Sequence, residues 1–321
     1  MNTAIKNMNQ MNVNVIYNTE CLSGLKMLSD NSVNCCVTSP PYFGLRDYGN
    51  DAQIGLEATP EEYIEKLVEV FREVRRVLKD DGTLWVNIGD SYNGSGKAGN
   101  NPDNIGKHKT FGKVGNPRTF GVPVRLKSIK PKDLIGIPWM LAFALRADGW
   151  YLRQDIIWAK PSVMPESVKD RCTKSHEYIF LLSKSRKYYF DNESIKEPST
   201  TFDTSIRDRD KTKMNNTPGR SKMRGLTTND YEMRNKRSVW TVATHPFKGG
   251  HFAVFPQRLI VDCIKAGCQE NGVVLDPFMG SGTTAIVARK LNRNYIGFEL
   301  NPDYIKIADD RLRKEVGIFQ Y

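Results

Sequence analysis

The segment Val273-Val274-Leu275-Asp276-Pro277-Phe278-Met279-Gly280-Ser281-Gly282-Thr283-Thr284 constrains this chain more than any other. Its apolar start predicts a buried strand, which runs directly into an acid, a glycine turn and a helix N-terminus. Helical spacing over 283–291 and a second strand over 295–299 make residues 272–299 one βαβ unit. Such a unit requires a parallel sheet, and its glycine turn lies where sheets of this kind bind ligands. Gly280 and Gly282 let backbone amides approach a ligand with no Cβ between them. Glu299 lies 19 positions beyond Gly280, about where nucleotide-binding folds place an acid against a ribose hydroxyl.

Three other uses of the turn compete. A phosphate loop needs G-x-x-x-x-G-K-[ST], and no lysine follows Gly282. A dinucleotide site needs G-x-G-x-x-G, and Ala285 stands at the third glycine. A plain tight turn needs no ligand at all. An adenosine-sulfonium cofactor has no phosphate, so a short glycine turn with nearby acids suits its cationic, hydroxyl-bearing body. The literal G-x-G-x-x-G at Gly94-Ser95-Gly96-Lys97-Ala98-Gly99 is followed by no helical pattern and reads as loop glycines.

The rest of the chain repeats the strand–helix alternation. Strands are expected at 13–17, 33–38, 83–88, 151–158 and 178–182, with helices at 21–28 and 134–147. Thr59-Pro60-Glu61-Glu62 opens a further helix with a Thr cap, Pro at the first position and Glu at the third. Its apolar residues Tyr63, Leu67, Val70, Phe71, Val74 and Leu78 keep helical spacing, and Asp81-Gly82 turns the chain into the next strand. The expected fold is α/β, Rossmann-like, with a twisted, largely parallel sheet and helices on both faces. Residues 1–12 read as a flexible leader, 13–190 as one half of the domain, 191–240 as an insert and 241–321 as the cofactor half.

Two stretches break the pattern. Residues 91–132 hold seven glycines and nine Lys/Arg against one acid, and 202–237 hold ten basic residues against five acidic ones. With a net charge of +11, this favours a polyanionic partner, because Lys and Arg at phosphates release counterions. The six cysteines include no C-x-x-C pair and no His at metal spacing, so they read as reduced thiols, with no metal site and a cytoplasmic setting. No apolar run reaches the roughly 18–20 residues of a membrane span.

Thr38-Ser39-Pro40-Pro41-Tyr42 ends a strand in a loop that two prolines make rigid. Together, Ser39–Tyr42 and Phe278-Met279-Gly280-Ser281-Gly282 resemble the [DNS]-P-P-[YFW] and F-x-G-x-G motifs of the amino-methylating DNA methyltransferases. The order, catalytic motif first, looks like the β class of that family, a circular permutation of the motifs. His251-Phe252-Ala253-Val254-Phe255-Pro256 is similar to its cofactor-side motif, and Asp155–Pro161 and His176–Phe180 resemble its later catalytic motifs. The likeness covers 15–90, 133–190 and 238–312; Glu20 stands where the family usually has Asp before Cys-Leu.

The resemblance implies transfer of a methyl group from S-adenosylmethionine to the exocyclic amine of a flipped base in double-stranded DNA. It implies catalytic roles for Ser39, Pro40, Pro41 and Tyr42. Cofactor contacts fall to Glu20, His251, Phe255, Pro256, Asp276, Pro277, Phe278, Gly280, Ser281, Gly282, Thr283 and Glu299. The Ser39 hydroxyl and Pro40 carbonyl would accept the amine hydrogens, and Tyr42 would offer a stacking face to the extruded base. Ser rather than Asp in the first slot points to cytosine N4, with adenine N6 the alternative. Carbon-5 methylation would need a thiolate, whereas Cys35 and Cys36 sit inside an apolar strand and read as packing. An RNA or protein methyltransferase and a catalytically silent DNA-binding module are the remaining alternatives.

As a group, Lys107, Lys109, Lys113, Arg207, Arg209, Lys211, Lys213, Arg220, Lys222, Arg224, Arg234, Lys236 and Arg237 are expected to meet DNA. Residues 191–240 occupy the place of the family's target-recognition region. The resemblance also implies a cognate restriction endonuclease, with the chain acting as a monomer or homodimer at a bacterial or phage-type nucleoid.

Overall fold

A computed structural model describes residues 11–44, 53–93, 126, 128–199, 232–244 and 255–317. In chain order the elements are β1 (Val15–Asn18), α1 (Cys21–Lys26), β2 (Val33–Thr38), α2 (Pro60–Val77) and β3 (Leu78–Ile88). Then come α3 (Ile137–Ala147), β4 (Tyr151–Ala159), β5 (His176–Ser183), β6 (Glu197–Pro198), β7 (Met233–Arg234) and β8 (Val239–Thr241). The last block is α4 (Gln257–Gly267), β9 (Val273–Asp276), α5 (Thr283–Lys290), β10 (Asn294–Glu299) and α6 (Pro302–Val316). Among the described residues no helix is long and apolar enough to cross a membrane.

The chain divides into two compact units, one comprising the segments before Asn192 and after Arg237, the other Asn192–Arg237. The described part of the smaller unit is a single 3₁₀ turn, Glu193–Ile195, and the antiparallel β6–β7 pair. Within it, Glu197 accepts from Arg234 at 3.0 Å and Arg237 at 2.6 Å.

The larger unit holds an eight-stranded sheet in the order β1-β10-β9-β2-β3-β5-β4-β8. Every pairing is parallel except those of β5, which runs antiparallel to both β3 and β4. This is the expected α/β class, with the strands of the glycine-turn unit last in the chain. α2 packs against both α1 and α3, and α5 packs against both α4 and α6. The two groups cover opposite faces. Leu84, Val86, Phe180 and Phe298 pack with the first, while Thr83 and Trp85 crowd against Gly267 of α4.

Local chemistry explains the elements. The Thr59–Glu62 capping box forms, with the Glu62 amide 3.2 Å from Thr59 Oγ1 and the Thr59 amide 3.3 Å from Glu62 Oε2. The apolar stripe of α2 is wholly buried at Tyr63, Leu67, Val70, Phe71 and Val74. β3 starts earlier than the turn residues Asp81-Gly82 suggest. Val33 pairs with Leu78 and Cys35 with Thr83, so β3 advances five residues while β2 advances two, and the expected turn survives as a bulge inside one strand.

Candidate active site

β9 and β2 are neighbours, with Cys35 opposite Val274 and Cys36 opposite Leu275. From β9 the chain goes through α5 to β10 on one side; from β2 it goes through α2 to β3 on the other. The strand order therefore reverses between these two strands, and a doubly wound sheet opens a crevice at the carboxyl ends of such a pair. The two loops singled out in the sequence leave those ends: Ser39–Tyr42 follows β2, and Pro277–Gly282 follows β9.

A buried carboxylate ties the loops together. Asp276, the last residue of β9, accepts from Thr38 Oγ1 at 2.6 Å, Thr284 Oγ1 at 2.7 Å and the Phe278 amide at 3.0 Å. Thr38 is the last residue of β2, 238 positions away. Burial pushes the Asp276 carboxyl up to about 6, although its three donors pull the other way. Its bonds to Thr38 and to the Phe278 amide brace the two loops against each other.

The glycine turn has the backbone its sequence predicts. Gly280 and Gly282 adopt φ 55° and 80°, the left-handed region that a side chain opposes. A Cβ on Gly282 would lie 2.7 Å from Ala308 Cβ, so α6 closes against the turn. Glu299 ends β10 and accepts from the Gly280 amide at 2.8 Å and the Asn301 amide at 2.8 Å. Burial raises its pKa and the amide donors offset part of that rise. Pro277, Ser281 and Thr283 are buried, whereas Phe278 and Gly280 remain partly exposed.

Arg311 of α6 was not legible as a site residue, having no motif around it. Its Nη1 donates to Ser281 O at 2.7 Å, Ser281 Oγ at 3.0 Å and Thr283 Oγ1 at 3.1 Å, clamping the turn from behind. Burial depresses its pKa, opposed by Glu315. Arg311→Met is expected to weaken binding of a ligand on the glycine turn about tenfold, the effect of losing one hydrogen-bond set to a charged donor. Titration calorimetry checks this, and unchanged affinity would show the clamp to be dispensable.

Glu20 caps α1, accepting from the Leu22 and Ser23 amides at 2.8 Å each. Burial works against its charge, yet these bonds and that from Cys21 Sγ hold its pKa below the usual value. Pro256 stands at the residue before α4 and makes no side-chain cap, with Phe255 half-buried before it.

On the other loop, Pro40 is buried and Ser39, Pro41 and Tyr42 are half-buried. The fully buried Tyr63 of α2 donates its hydroxyl to Pro41 O at 2.7 Å, pinning the loop from below. Tyr42 donates its hydroxyl to Glu177 Oε2 at 2.6 Å, with Asn87 Oδ1 3.4 Å away and the Ser39 side chain also a hydrogen-bonding neighbour. Its pKa lies well above the ordinary phenol value because of burial first and the Glu177 carboxylate second. A Cβ on Gly89 would lie 2.7 Å from Tyr42 Cε2, so glycine is required beside this ring. Cys35 and Cys36 are fully buried, and burial pushes both thiols far up, leaving no thiolate in β2.

Several expected residues lie outside those described: His251 and the basic residues Lys107, Lys109, Lys113, Arg207, Arg209, Lys211, Lys213, Arg220, Lys222 and Arg224. Of the remaining basic residues, Arg234 and Arg237 both bond Glu197.

Comparison with known proteins is consistent with this geometry. The DNA methylase family matches residues 33–310. Type II methyltransferase M.Cfr9I of Citrobacter freundii is 47% identical over 307 residues, covering 95% of this chain and 90% of that protein. Type II methyltransferase M.SmaI of Serratia marcescens is 50% identical over 279 residues, covering 87% of this chain and 84% of that protein. Among solved structures, the PvuII DNA methyltransferase (cytosine-N4-specific) superposes with a TM-score of 0.61 at 18% identity, covering 92% of this chain and 85% of that one. TTHA0409 of Thermus thermophilus, a putative DNA modification methylase solved with S-adenosyl-L-methionine, reaches a TM-score of 0.54 at 23% identity, over 92% of each chain.

Proposed function

We propose, from the premise that this chain belongs to the DNA methylase family, that it methylates cytosine at N4 and does so on the Ser39–Tyr42 loop. Amino-methylation of DNA at specific sites, with S-adenosylmethionine as methyl donor, is the activity of the enzyme. The base, the residues and the recognition segment are our reading. The observation that carries it is the Thr38–Asp276 hydrogen bond, which holds the two motif loops side by side at the strand-order reversal.

The residues present fit the methyl donor. The turn carries glycines at positive φ, acids stand at Glu299 and Glu20, and no phosphate-type lysine follows Gly282. Glu299 would hold ribose hydroxyls, the Gly280 backbone would face the body of the molecule, and Phe278 and Phe255 would give apolar contact. S-adenosylmethionine, when bound, supplies an electrophilic methyl group on a sulfonium. An exocyclic amine is a weak nucleophile because its lone pair is delocalised into the ring. Ser39 Oγ and the Pro40 carbonyl, accepting the two amine hydrogens, favour a pyramidal nitrogen. Tyr42 stacks the extruded base, offsetting part of the few kcal/mol that flipping costs. The rigid prolines and the Tyr63 bond keep these groups still, and positioning of that kind supplies much of the rate of a direct transfer.

Serine in the first motif position and the cytosine-N4 specificity named for the PvuII enzyme favour cytosine over adenine. The buried, protonated thiols of Cys35 and Cys36 argue against attack on the ring carbon. Residues 191–240, with their excess of basic side chains, are the proposed target-recognition insert. The Type II designation of both relatives supports a cognate endonuclease in the same bacterial or phage host. Mass spectrometry of nucleosides from unmethylated DNA, incubated with the protein and methyl donor, should show N4-methylcytosine. N6-methyladenine would overturn the base assignment, and no methylated nucleoside would overturn the whole reading.

A further inference from the structure

We infer that Glu177, held by Lys160, is a positioning residue for methyl transfer: through the tyrosine hydroxyl it anchors the Tyr42 ring in the place that receives the extruded base. The inference rests on the proposed role of the Ser39–Tyr42 loop.

The two oxygens of Glu177 face different partners. Oε2 accepts from the Tyr42 hydroxyl at 2.6 Å and from Asn87 Nδ2 at 3.2 Å. Oε1 is bound by Lys160 Nζ. Asn87 is itself oriented, because Nδ2 also donates to Tyr178 O at 3.1 Å. Lys160 is fixed from a second side: its ammonium lies 4.4 Å from the Trp158 ring centre, and the Trp158 indole donates to Val242 O at 2.8 Å. Trp158 and Glu177 are opposite partners in the β4–β5 ladder, so strand pairing sets the distance between cation and carboxylate. Both members of the ion pair are mostly shielded, Lys160 at 19% and Glu177 at 16% side-chain exposure, and a pair so withdrawn from solvent holds its geometry better than a surface pair.

The consequence falls on a ring that packs against the core and lies close to Gly89. A tyrosine side chain has two soft torsions, and the position at Gly89 that would wedge this ring is vacant of any Cβ. Gly89 gives the ring room to lie where it does, while the hydroxyl bond to Glu177 fixes the position of its far end and so the direction of the side chain. A stacking platform must stay in one place, and a phenol anchored at its far end by a charge-assisted bond does so. In the inferred role Glu177 acts through Tyr42 and is assigned no contact with the base or the methyl group.

The test is single-turnover transfer of labelled methyl groups to unmethylated plasmid DNA by the full chain, beside calorimetric binding of S-adenosylmethionine. Glu177→Ala and Tyr42→Phe should each slow transfer about tenfold, the effect of one charge-assisted hydrogen bond, with methyl-donor affinity within about twofold. The double variant Tyr42→Phe/Glu177→Ala should be no slower than either single variant, because both changes remove the same bond. Glu177→Gln, which keeps an acceptor for the phenol, should retain more of the rate than Glu177→Ala. Wild-type speed in Glu177→Ala, or singles that multiply in the double variant, would overturn the inference. If Glu177→Ala fails to fold, Glu177→Gln and Lys160→Met supply the same comparison in the Tyr42→Phe background. A wild-type protein that transfers no methyl group would instead sink the proposed function, so the two failures are distinct.

Discussion

Tyr42→Ala is expected to lower methyl transfer to DNA by at least about a hundredfold while leaving S-adenosylmethionine affinity within about twofold. Two losses combine. Stacking of a base on an aromatic ring is worth roughly 1–3 kcal/mol, and a misplaced target amine costs further rate because direct transfer depends on alignment. The hydroxyl bond to Glu177 goes as well, leaving that carboxylate with Lys160 and Asn87 only. The methyl-donor turn should be spared, since Tyr42 makes none of the bonds that shape Gly280–Thr283. Labelled transfer and calorimetry on one preparation decide the matter. Transfer within tenfold of wild type would remove Tyr42 from the catalytic loop.

Asp276→Ala should be the most destabilising single change, lowering unfolding free energy by about 3–5 kcal/mol, the range for breaking a buried charged network. Three buried or part-buried donors lose their acceptor at once: Thr38 Oγ1, Thr284 Oγ1 and the Phe278 amide. Both motif loops would lose their common strut, so activity and stability should fall together. A milder change tests the electrostatics. With its carboxyl pushed up to about 6, Asp276 binds its proton more tightly in the native state than in the unfolded chain. Its contribution is therefore most favourable below about pH 4 and declines as pH rises towards 6. Relative to Asp276→Asn, wild type should lose roughly 2 kcal/mol of stability between pH 4 and pH 7. Denaturant unfolding at the two pH values measures it, and a difference independent of pH would show that burial does not strain this carboxylate.

Much of the fold was readable because local periodicity carries it. The α2 stripe and the β9–turn–α5 block were legible from spacing, and the Thr59 cap from three neighbouring residues. Strands β2 and β9 read as buried because their residues are mostly β-branched, small or apolar on both faces, as suits parallel strands covered by helices. The antiparallel course of β5 was not legible, since an apolar strand has the same composition in either direction. α4 and α6 add to the expected elements, and with α6 comes Arg311, whose contacts with Ser281 and Thr283 no motif announces.

What the chain's own sequence determined, then, is the inventory: a glycine turn able to adopt positive φ, a proline-stiffened loop ending in tyrosine, and a parallel α/β frame. Tertiary structure alone decided the partners. Thr38 meets Asp276 across 238 positions, and Tyr42 meets Glu177 across 135. Such pairings depend on which strands become neighbours and in what register, and that is a property of the whole sheet. Periodicity within a segment is set by the segment's own backbone geometry and cannot encode it.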